Sequence, residues 1–387
     1  MSDWATTRAA MTADQARLAL ILGRSPRLHA GLWALRIYRL GRWLHQRNHK
    51  AAARFLWALN LLLTGADLGC AEVIGAGCVI LDPRGVIIYG TVGPDCTVGR
   101  GSGIGGLLRG ALPPPGGRGL HPHLGARCIL GRHSLVLGGT VIGDDCTLGE
   151  GCTVLTDLPA GSSITARPAA WKAMRIGLHR RPRPDLAGAK TLGGVIRTDV
   201  ARCVTENSGS DERVGFLRFW GHLILPAVQA LVLFRLSHAL HARGWRRSSV
   251  LLTRLNAAVY GVLIHPASEI GPGLFIPHTI GVRFCGRAGP LLSMFPQSAV
   301  GPETWPELGA ELPADVPLLG ADVGVGAQAS VVGSVRVGDL VLVGVKVNLT
   351  RDIADGLTAV PQRNWSYLAK NADASAALTG MEPEAAD

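Results

Sequence analysis

The sequence predicts an α+β protein, mainly β, with two left-handed parallel β-helix domains, each preceded by a helical leader. Two observations predict this class: branched aliphatic residues recur at every sixth position, and parts of one half of the chain recur in the other half. The composition agrees, because glycine makes up 51 of 387 residues, about twice the usual ~7%, and aromatic residues are few. A core of small aliphatic side chains with tight glycine turns is therefore expected.

The six-residue repeat is the strongest signal in the sequence. Three repeats form one triangular coil of about 18 residues, in which the aliphatic residue points inward and glycine permits the corner. Neither helical nor hairpin periodicity gives a period of six. The three registers are Leu68, Ile74, Ile80, Val86, Val92, Val98 and Ile104; Leu124, Leu130, Val136, Ile142, Leu148 and Val154; and Leu319, Val325, Val331, Val337 and Val343.

The repeat also accounts for most of the cysteines. Five of the eight occupy the fifth position of a hexad, where a small residue is needed, and no CxxC spacing occurs. Buried free thiols in a cytoplasmic protein are expected, rather than disulfides or a metal site. The five are Cys78, Cys96, Cys128, Cys146 and Cys152.

The two halves align without gaps when the sequence is shifted by 196 residues, which indicates a tandem duplication. The matched pairs include Arg39 with Arg235, Asn60 with Asn256, Gly65 with Gly261, Ile74 with Ile270 and Gly85 with Gly281. We predict a helical leader over 1–66, a first β-helix domain over 67–177, a linker over 178–214, a second leader over 215–262, a second β-helix domain over 263–370 and a flexible tail over 371–387.

Charge and hydropathy narrow the function classes. The net charge of +11 suits an anionic ligand, but the basic residues are scattered and no nucleic-acid-binding module occurs. No secretion signal is recognised at the amino terminus. The longest apolar run, 219–234, contains His222 and Pro226 and is short for a membrane span, so a buried helix is expected there.

Several motifs carry a resemblance to a known family. The phrase from Ile264 to His278, IHPASEIGPGLFIPH, resembles the entry coil of the serine O-acetyltransferases, and the stretch from Gly117 to Gly125, GRGLHPHLG, resembles their Arg-His-Pro loop. The phrases TDLPAG at 156–161 and RDIADG at 351–356 are similar to the family's exit from the last coil.

The resemblance implies a function and an assembly. Such enzymes move an acetyl group from acetyl-CoA to the hydroxyl of serine in a ternary complex, with a histidine as general base, a carboxylate that orients it and no metal. It also implies a homotrimer with sites between neighbouring subunits. For this chain we expect a pseudo-hexameric arrangement, since each subunit carries two copies.

The two halves depart from the family pattern in opposite ways. The second half keeps the base histidine as His278, but Leu263 replaces the orienting aspartate. The first half keeps the orienting position as Asp67 and the loop histidine as His121, and it has Asp82 where the base histidine belongs. These four residues, His121, His278, Asp67 and Asp82, are the candidate catalytic residues, and the two carboxylates could instead bind an amino group.

The resemblance also implies a groove for acetyl-CoA. Small residues line it in the second half, whereas Arg132 and Glu150 stand at the matching positions of the first half. The candidate cofactor-binding residues are Gly105, Gly106, Gly326, Ala327, Gly344, Val345 and Arg167, the last from an Arg-Pro-Ala phrase similar to the family's Asn-Pro-Ala.

Three functions stay open at this point. The first is acetyl transfer to serine or a related small hydroxylated metabolite. The second is a specialised-metabolite acyltransferase with another acyl donor, for example a carrier-bound acyl group. The third is a scaffold pseudoenzyme whose chemistry has decayed. The sequence leaves open which half is active and whether His121 and His278 share a site.

Overall fold

The structure, a computed structural model, describes residues 4–23, 25–106, 121–166, 171–174, 186, 189–208, 225–361 and 365–367. It divides into two compact units, one formed by residues 1–168 with 363–387 and the other by 169–362. Each unit is a helical leader followed by a three-faced parallel β-helix, so the predicted fold class is confirmed.

Unit 1 begins with three helices, α1 (Trp4–Leu22), α2 (Ala30–Gln46) and α3 (Lys50–Thr64). Helix α3 ends at Gly65, whose φ of 73° is left-handed and costs glycine little. This turn sends the chain directly into the first coil, and Asn60 in α3 donates to the carbonyl of Ala34 in α2 to hold the two helices together.

The strands of unit 1 lie on three faces that we call A, B and C. Face A contains β1 (Asp67–Leu68), β4 (Ile87–Ile88), β7 (Gly103–Gly105), β10 (Leu135–Leu137) and β13 (Thr153–Val154). Face B contains β2 (Val73–Ile74), β5 (Thr91–Val92), β8 (His123–Leu124) and β11 (Val141–Ile142). Face C contains β3 (Val79–Ile80), β6 (Thr97–Val98), β9 (Ile129–Leu130), β12 (Thr147–Leu148), β14 (Ser163–Ala166) and, antiparallel at its end, β29 (Trp365–Tyr367).

Unit 2 repeats this arrangement. Its helices are α4 (Leu192–Ser208), α5 (Pro226–Ala242) and α6 (Arg246–Tyr260). Its face A contains β16 (Val262–Ile264), β18 (Val282–Phe284), β21 (Ala299–Gly301), β24 (Ser330–Val332) and β27 (Asn348–Leu349). Its face B contains β17 (Glu269–Ile270), β19 (Arg287–Ala288), β22 (Leu318–Leu319) and β25 (Arg336–Val337). Its face C contains β20 (Ser293–Met294), β23 (Gly324–Val325), β26 (Leu342–Val343), β28 (Thr358–Pro361) and the antiparallel β15 (Trp171–Met174).

The core of each unit lies inside its prism. Every aliphatic residue of the three predicted registers is buried, so the inward assignment is confirmed. The thiols of Cys96, Cys128 and Cys146 each donate to a carbonyl of the next coil over 3.2 Å. No disulfide joins the eight cysteines, and the five at the hexad corner positions are buried, as predicted.

The predicted linker over 178–214 needs a correction. Residues 192–208 form helix α4, and Val200, Cys203 and Val204 are buried in the core of unit 2. The six-residue repeat could not predict this helix. A leader helix buries only one face, and its apolar residues recur with a period of about 3.6 residues instead of six. The unit boundaries after residues 168 and 362 also differ from the predicted domain limits at 177 and 370.

Candidate active site

The A–B corner of unit 1, where each coil turns from face A to face B, collects residues that the sequence singled out. Asp67 lies on β1, Gly105 ends β7 with Gly106 directly after it, and His121 comes just before β8. Residues 107–120, which separate Gly106 from His121, lie outside the described part of the chain. Parallel stacking therefore brings residues of the first and the third coil to one edge of the prism.

Asp67 is fully buried, and two ring donors hold its carboxylate. Trp57 Nε1 donates to Asp67 Oδ1 over 2.7 Å, and the Tyr89 hydroxyl donates to the same oxygen over 2.8 Å. Burial, and then the negative charge of Asp67, raise the pKa of Tyr89 well above its ordinary value, so the hydroxyl stays a donor. These bonds differ from the expected direct contact between Asp67 and a histidine.

His121 is exposed and is oriented by the main chain of Tyr89. Its Nδ1 lies 3.2 Å from the Tyr89 carbonyl oxygen. A carbonyl oxygen can only accept, so this contact selects the tautomer with the proton on Nδ1. In the neutral form of this tautomer, the Nε2 atom carries no proton and is able to accept one from a hydroxyl group.

Three further polar residues at this corner were missed by the sequence reasoning. Glu72 and Cys70 belong to the turn after β1, and Arg42 of α2 donates through Nη1 to the carbonyl of Ala71 over 2.9 Å and to that of Glu72. Burial raises the pKa of Glu72, while the charges of His121 and Arg42 lower it. Burial and the Asp67 charge raise the pKa of Cys70 to about 11, which disfavours the thiolate form of this side chain.

One sequence signal could have drawn attention to this cluster. Gly69 stands in unit 1 where the 196-residue shift places His265 of the family-like IHP phrase. A Cβ at Gly69 would lie 2.8 Å from Glu72 Cγ and 3.3 Å from Tyr89 Cε1. The space of the missing histidine is therefore taken by Glu72 and Tyr89.

Asp82 lies at a different edge of unit 1, the C–A corner, because it follows β3. Its carboxylate is paired with Arg84, with Arg84 Nη2 at 2.6 Å from Asp82 Oδ2. This hydrogen bond lowers the pKa of Asp82. Within unit 1 the structure does not bring Asp82 together with Asp67 or His121.

At the A–B corner of unit 2, apolar residues stand at the three matched positions of the site. By strand register, the places of Asp67, Tyr89 and His121 are taken by Leu263, Cys285 and Val316. Residues 302–317, which follow β21, are described in full, and Val316 is buried. His265 is fully buried, and its Nε2 lies 3.0 Å from the Glu307 carbonyl oxygen. Burial lowers the pKa of His265, so the second corner holds a neutral histidine under a loop.

His278 lies at the C–A corner of unit 2, half-buried, between the bridge residue Phe275 and β18. The four small residues proposed for the acetyl-CoA groove lie at the same corner, because they follow β23 and β26: Gly326, Ala327, Gly344 and Val345. Backbone hydrogen bonds join the successive turns, from Gln297 to Ile280, from Gln328 to Pro296 and from Lys346 to Ala327. The structure thus aligns His278 with the predicted groove along one edge.

The matching edge of unit 1 carries charged side chains. Arg132 Nε lies 3.8 Å from Glu150 Oε1, and both side chains are exposed. Arg167, the remaining candidate for cofactor binding, lies outside the described residues. Across the described ranges, we find neither a cluster of three or more potential metal ligands nor a helix long and apolar enough to cross a membrane.

Comparisons with known proteins agree with this architecture. A family model described as "Bacterial transferase hexapeptide (six repeats)" matches residues 121–156. A serine acetyltransferase of Helicobacter pylori is 37% identical over 146 residues, covering 37% of this chain and 81% of that protein. One of Mycobacterium tuberculosis is 35% identical over 199 residues, covering 50% of this chain and 81% of that protein.

A solved structure is similar as well. The serine acetyltransferase of Neisseria gonorrhoeae is 21% identical, with a TM-score of 0.38, and the match covers 48% of this chain and 70% of that one. The relatives of Helicobacter and Mycobacterium, each matched over four fifths of its own length, decide the assignment. The chain belongs to the serine acetyltransferase family.

Proposed function

We propose that this protein transfers an acetyl group from acetyl-CoA to the hydroxyl of serine or a closely related small metabolite, with His121 as general base. The observation that carries the proposal is the contact between His121 Nδ1 and the Tyr89 carbonyl oxygen, which leaves Nε2 free to accept a proton. Membership of the family supports the choice of donor and acceptor.

The reaction needs no covalent enzyme intermediate. His121 Nε2 takes the hydroxyl proton as the serine oxygen attacks the thioester carbonyl carbon of acetyl-CoA. The tetrahedral intermediate collapses, the carbon–sulfur bond breaks, and the imidazolium returns the proton to the CoA sulfur. The products are the O-acetyl ester and free CoA, and the enzyme is unchanged.

The acetyl-CoA groove proposed for unit 2 runs along its C–A corner, beside His278, and it belongs to the alternative in which His278 is the base. Small residues there leave room for the pantetheine arm to lie against the turns, whereas the matching turns of unit 1 carry Arg132 and Glu150. His278 is the second candidate base, because it lies on the same edge as the groove.

We also propose a homotrimer of pseudo-hexameric shape in the cytoplasm. The eight cysteines form no disulfide with one another, which supports a reducing compartment. Multi-angle light scattering tests the assembly: a mass three times that of the chain agrees with it, and a monomer contradicts it.

Release of CoA from acetyl-CoA and L-serine tests the activity and the base. We expect His121→Ala to lower kcat/KM by about 10²- to 10⁴-fold, the usual contribution of a general base. The matched control is His123→Ala, which removes an exposed histidine two positions away on β8.

Each outcome of this assay has a clear reading. A loss of activity in His278→Ala but not in His121→Ala would identify His278 of unit 2 as the general base. If neither variant changed the rate, histidine catalysis would be wrong. If no hydroxylated amino acid released CoA, the proposed acetyl transfer would be wrong. Turnover of an acylated carrier protein, together with no binding of CoA in calorimetry, would then indicate a carrier-bound acyl donor. Absence of both activities would leave the scaffold function.

A further inference from the structure

Glu72 carries a carboxylate that the reaction above does not use. Its side chain is half-buried beside Gly69, in the space that the missing side chain of Gly69 leaves. Among the described residues, no hydrogen bond or ion pair is made to this carboxylate, although burial disfavours its charge. A half-buried carboxylate that accepts no hydrogen bond carries a desolvation cost, which a donor group of a ligand would offset.

Arg42 supplies the opposite charge at the same corner. Only its Nη1 is used within the described part of the chain, where it donates to the carbonyls of Ala71 and Glu72. These bonds anchor the guanidinium at the turn and leave Nε and Nη2 available to an anion. Arg42, and His121 in its protonated form, both lower the pKa of Glu72, so the Glu72 carboxylate lies within electrostatic reach of both groups.

This charge pair is specific to unit 1. The shift of 196 residues places Ser268 at the position of Glu72 and His238 at that of Arg42. Ser268 is fully buried, with its Oγ 3.4 Å from the amide of Gly286, and His238 Nδ1 lies 2.9 Å from the Pro266 carbonyl oxygen. Both side chains of unit 2 are satisfied within the protein, so that corner presents neither charge.

We propose that Glu72 and Arg42 form the recognition site for a zwitterionic hydroxy-amino acid at the A–B corner of unit 1. The Glu72 carboxylate binds the α-ammonium group, the free guanidinium nitrogens of Arg42 bind the α-carboxylate, and the side-chain hydroxyl reaches His121. This inference rests on the proposed function, and it identifies two specificity-determining residues and the class of acceptor that they select.

Acceptors that lack one charged group distinguish the contact made by Glu72 from the contact made by Arg42. L-Serine carries both charged groups, 3-hydroxypropionate lacks the ammonium group, and ethanolamine lacks the carboxylate. We expect Glu72→Gln to raise the KM for L-serine by about 10- to 100-fold, the range for a charge-assisted hydrogen bond, with kcat nearly unchanged. The same variant should leave the kinetics with 3-hydroxypropionate unchanged.

Arg42 should show the complementary pattern. Arg42→Gln should raise the KM for L-serine by a similar factor and leave that for ethanolamine unchanged, and Arg42→Lys should restore part of the loss because it keeps the charge. Matched controls are Glu303→Gln and Arg54→Gln, which alter exposed residues elsewhere, and thermal unfolding shows that each variant is folded.

Calorimetry with L-serine in the absence of acetyl-CoA separates this inference from the proposed function. If serine binds and Glu72→Gln weakens that binding while no CoA is ever released, the site stands and acetyl transfer is wrong. If CoA is released but Glu72→Gln affects all three acceptors equally, or the wild type does not prefer L-serine to the truncated acceptors, the zwitterion site is wrong.

Discussion

At the scale of single residues, the two units differ by an exchange of side-chain volume at one corner. Unit 1 pairs Gly69 with the large Tyr89, and unit 2 pairs the large His265 with the small Cys285. Close packing permits only one bulky ring at this place, so the two changes compensate each other. The tyrosine brings a hydroxyl to Asp67, which gives the corner of unit 1 a polar contact that Cys285 cannot make in unit 2.

Tyr89→Phe tests the bond at the centre of this corner. We expect it to lower the free energy of unfolding by about 1–3 kcal/mol, because the buried Asp67 carboxylate loses one of its ring donors. Urea unfolding measures the loss.

The control is Tyr260→Phe, which removes a bond from the partly buried Tyr260 hydroxyl to the neutral Gln229 amide oxygen. We expect a cost under about 1 kcal/mol there. Equal costs for the two variants would contradict a special role for Asp67.

At the scale of elements, one leader helix in each unit is attached to the prism by the same two residues. The phrase Asp-x-Ala-Arg occurs at 14–17 in α1 and at 199–202 in α4. The arginines at 17 and 202 donate to carbonyls of the coils, and the aspartates pair with Arg39 and Arg235. These repeated contacts support the proposed duplication.

Asp199→Ala tests the attachment of α4. Asp199 Oδ1 accepts the amides of Gly273 and Leu274, and Arg235 is buried against the same carboxylate. Removing one member of a buried pair leaves the other charge unpaired, so we expect a loss of about 3–5 kcal/mol in the free energy of unfolding.

The matched control on the same helix is Arg197→Ala, which removes an exposed side chain and should cost less than about 0.5 kcal/mol. Urea unfolding compares the two variants. If Asp199→Ala were as harmless as the control, residues 192–208 would have to be regarded again as a linker.

At the scale of the whole molecule, the last strand of face C in each unit pairs with a strand from a distant part of the sequence. Strand β29 pairs antiparallel with β14 in unit 1, and β15 pairs antiparallel with β28 in unit 2. An open edge offers unpaired amides and carbonyls to other chains, and these strands cover it.

Deletion of residues 363–387 tests this cover, because it removes β29 and exposes the edge of β14. We expect concentration-dependent association in light scattering and faster amide exchange over Ser163–Ala166. Deletion of 371–387 alone keeps β29 and is the control. Identical behaviour of the two truncations would show that β29 does not protect the edge.

The sequence by itself determined the coils, their inward aliphatic residues and the corner cysteines, because a period of six fixes which side chains point inward. It also indicated His121, Asp67 and the groove residues through a family resemblance. Only the tertiary structure decided which of them meet. Trp57, Tyr89, Glu72 and Arg42 come from two helices and two coils, and no local period relates them. The repeat did not predict helix α4, because the Asp-x-Ala-Arg phrase recurs after 185 residues, whereas the coils recur after 196.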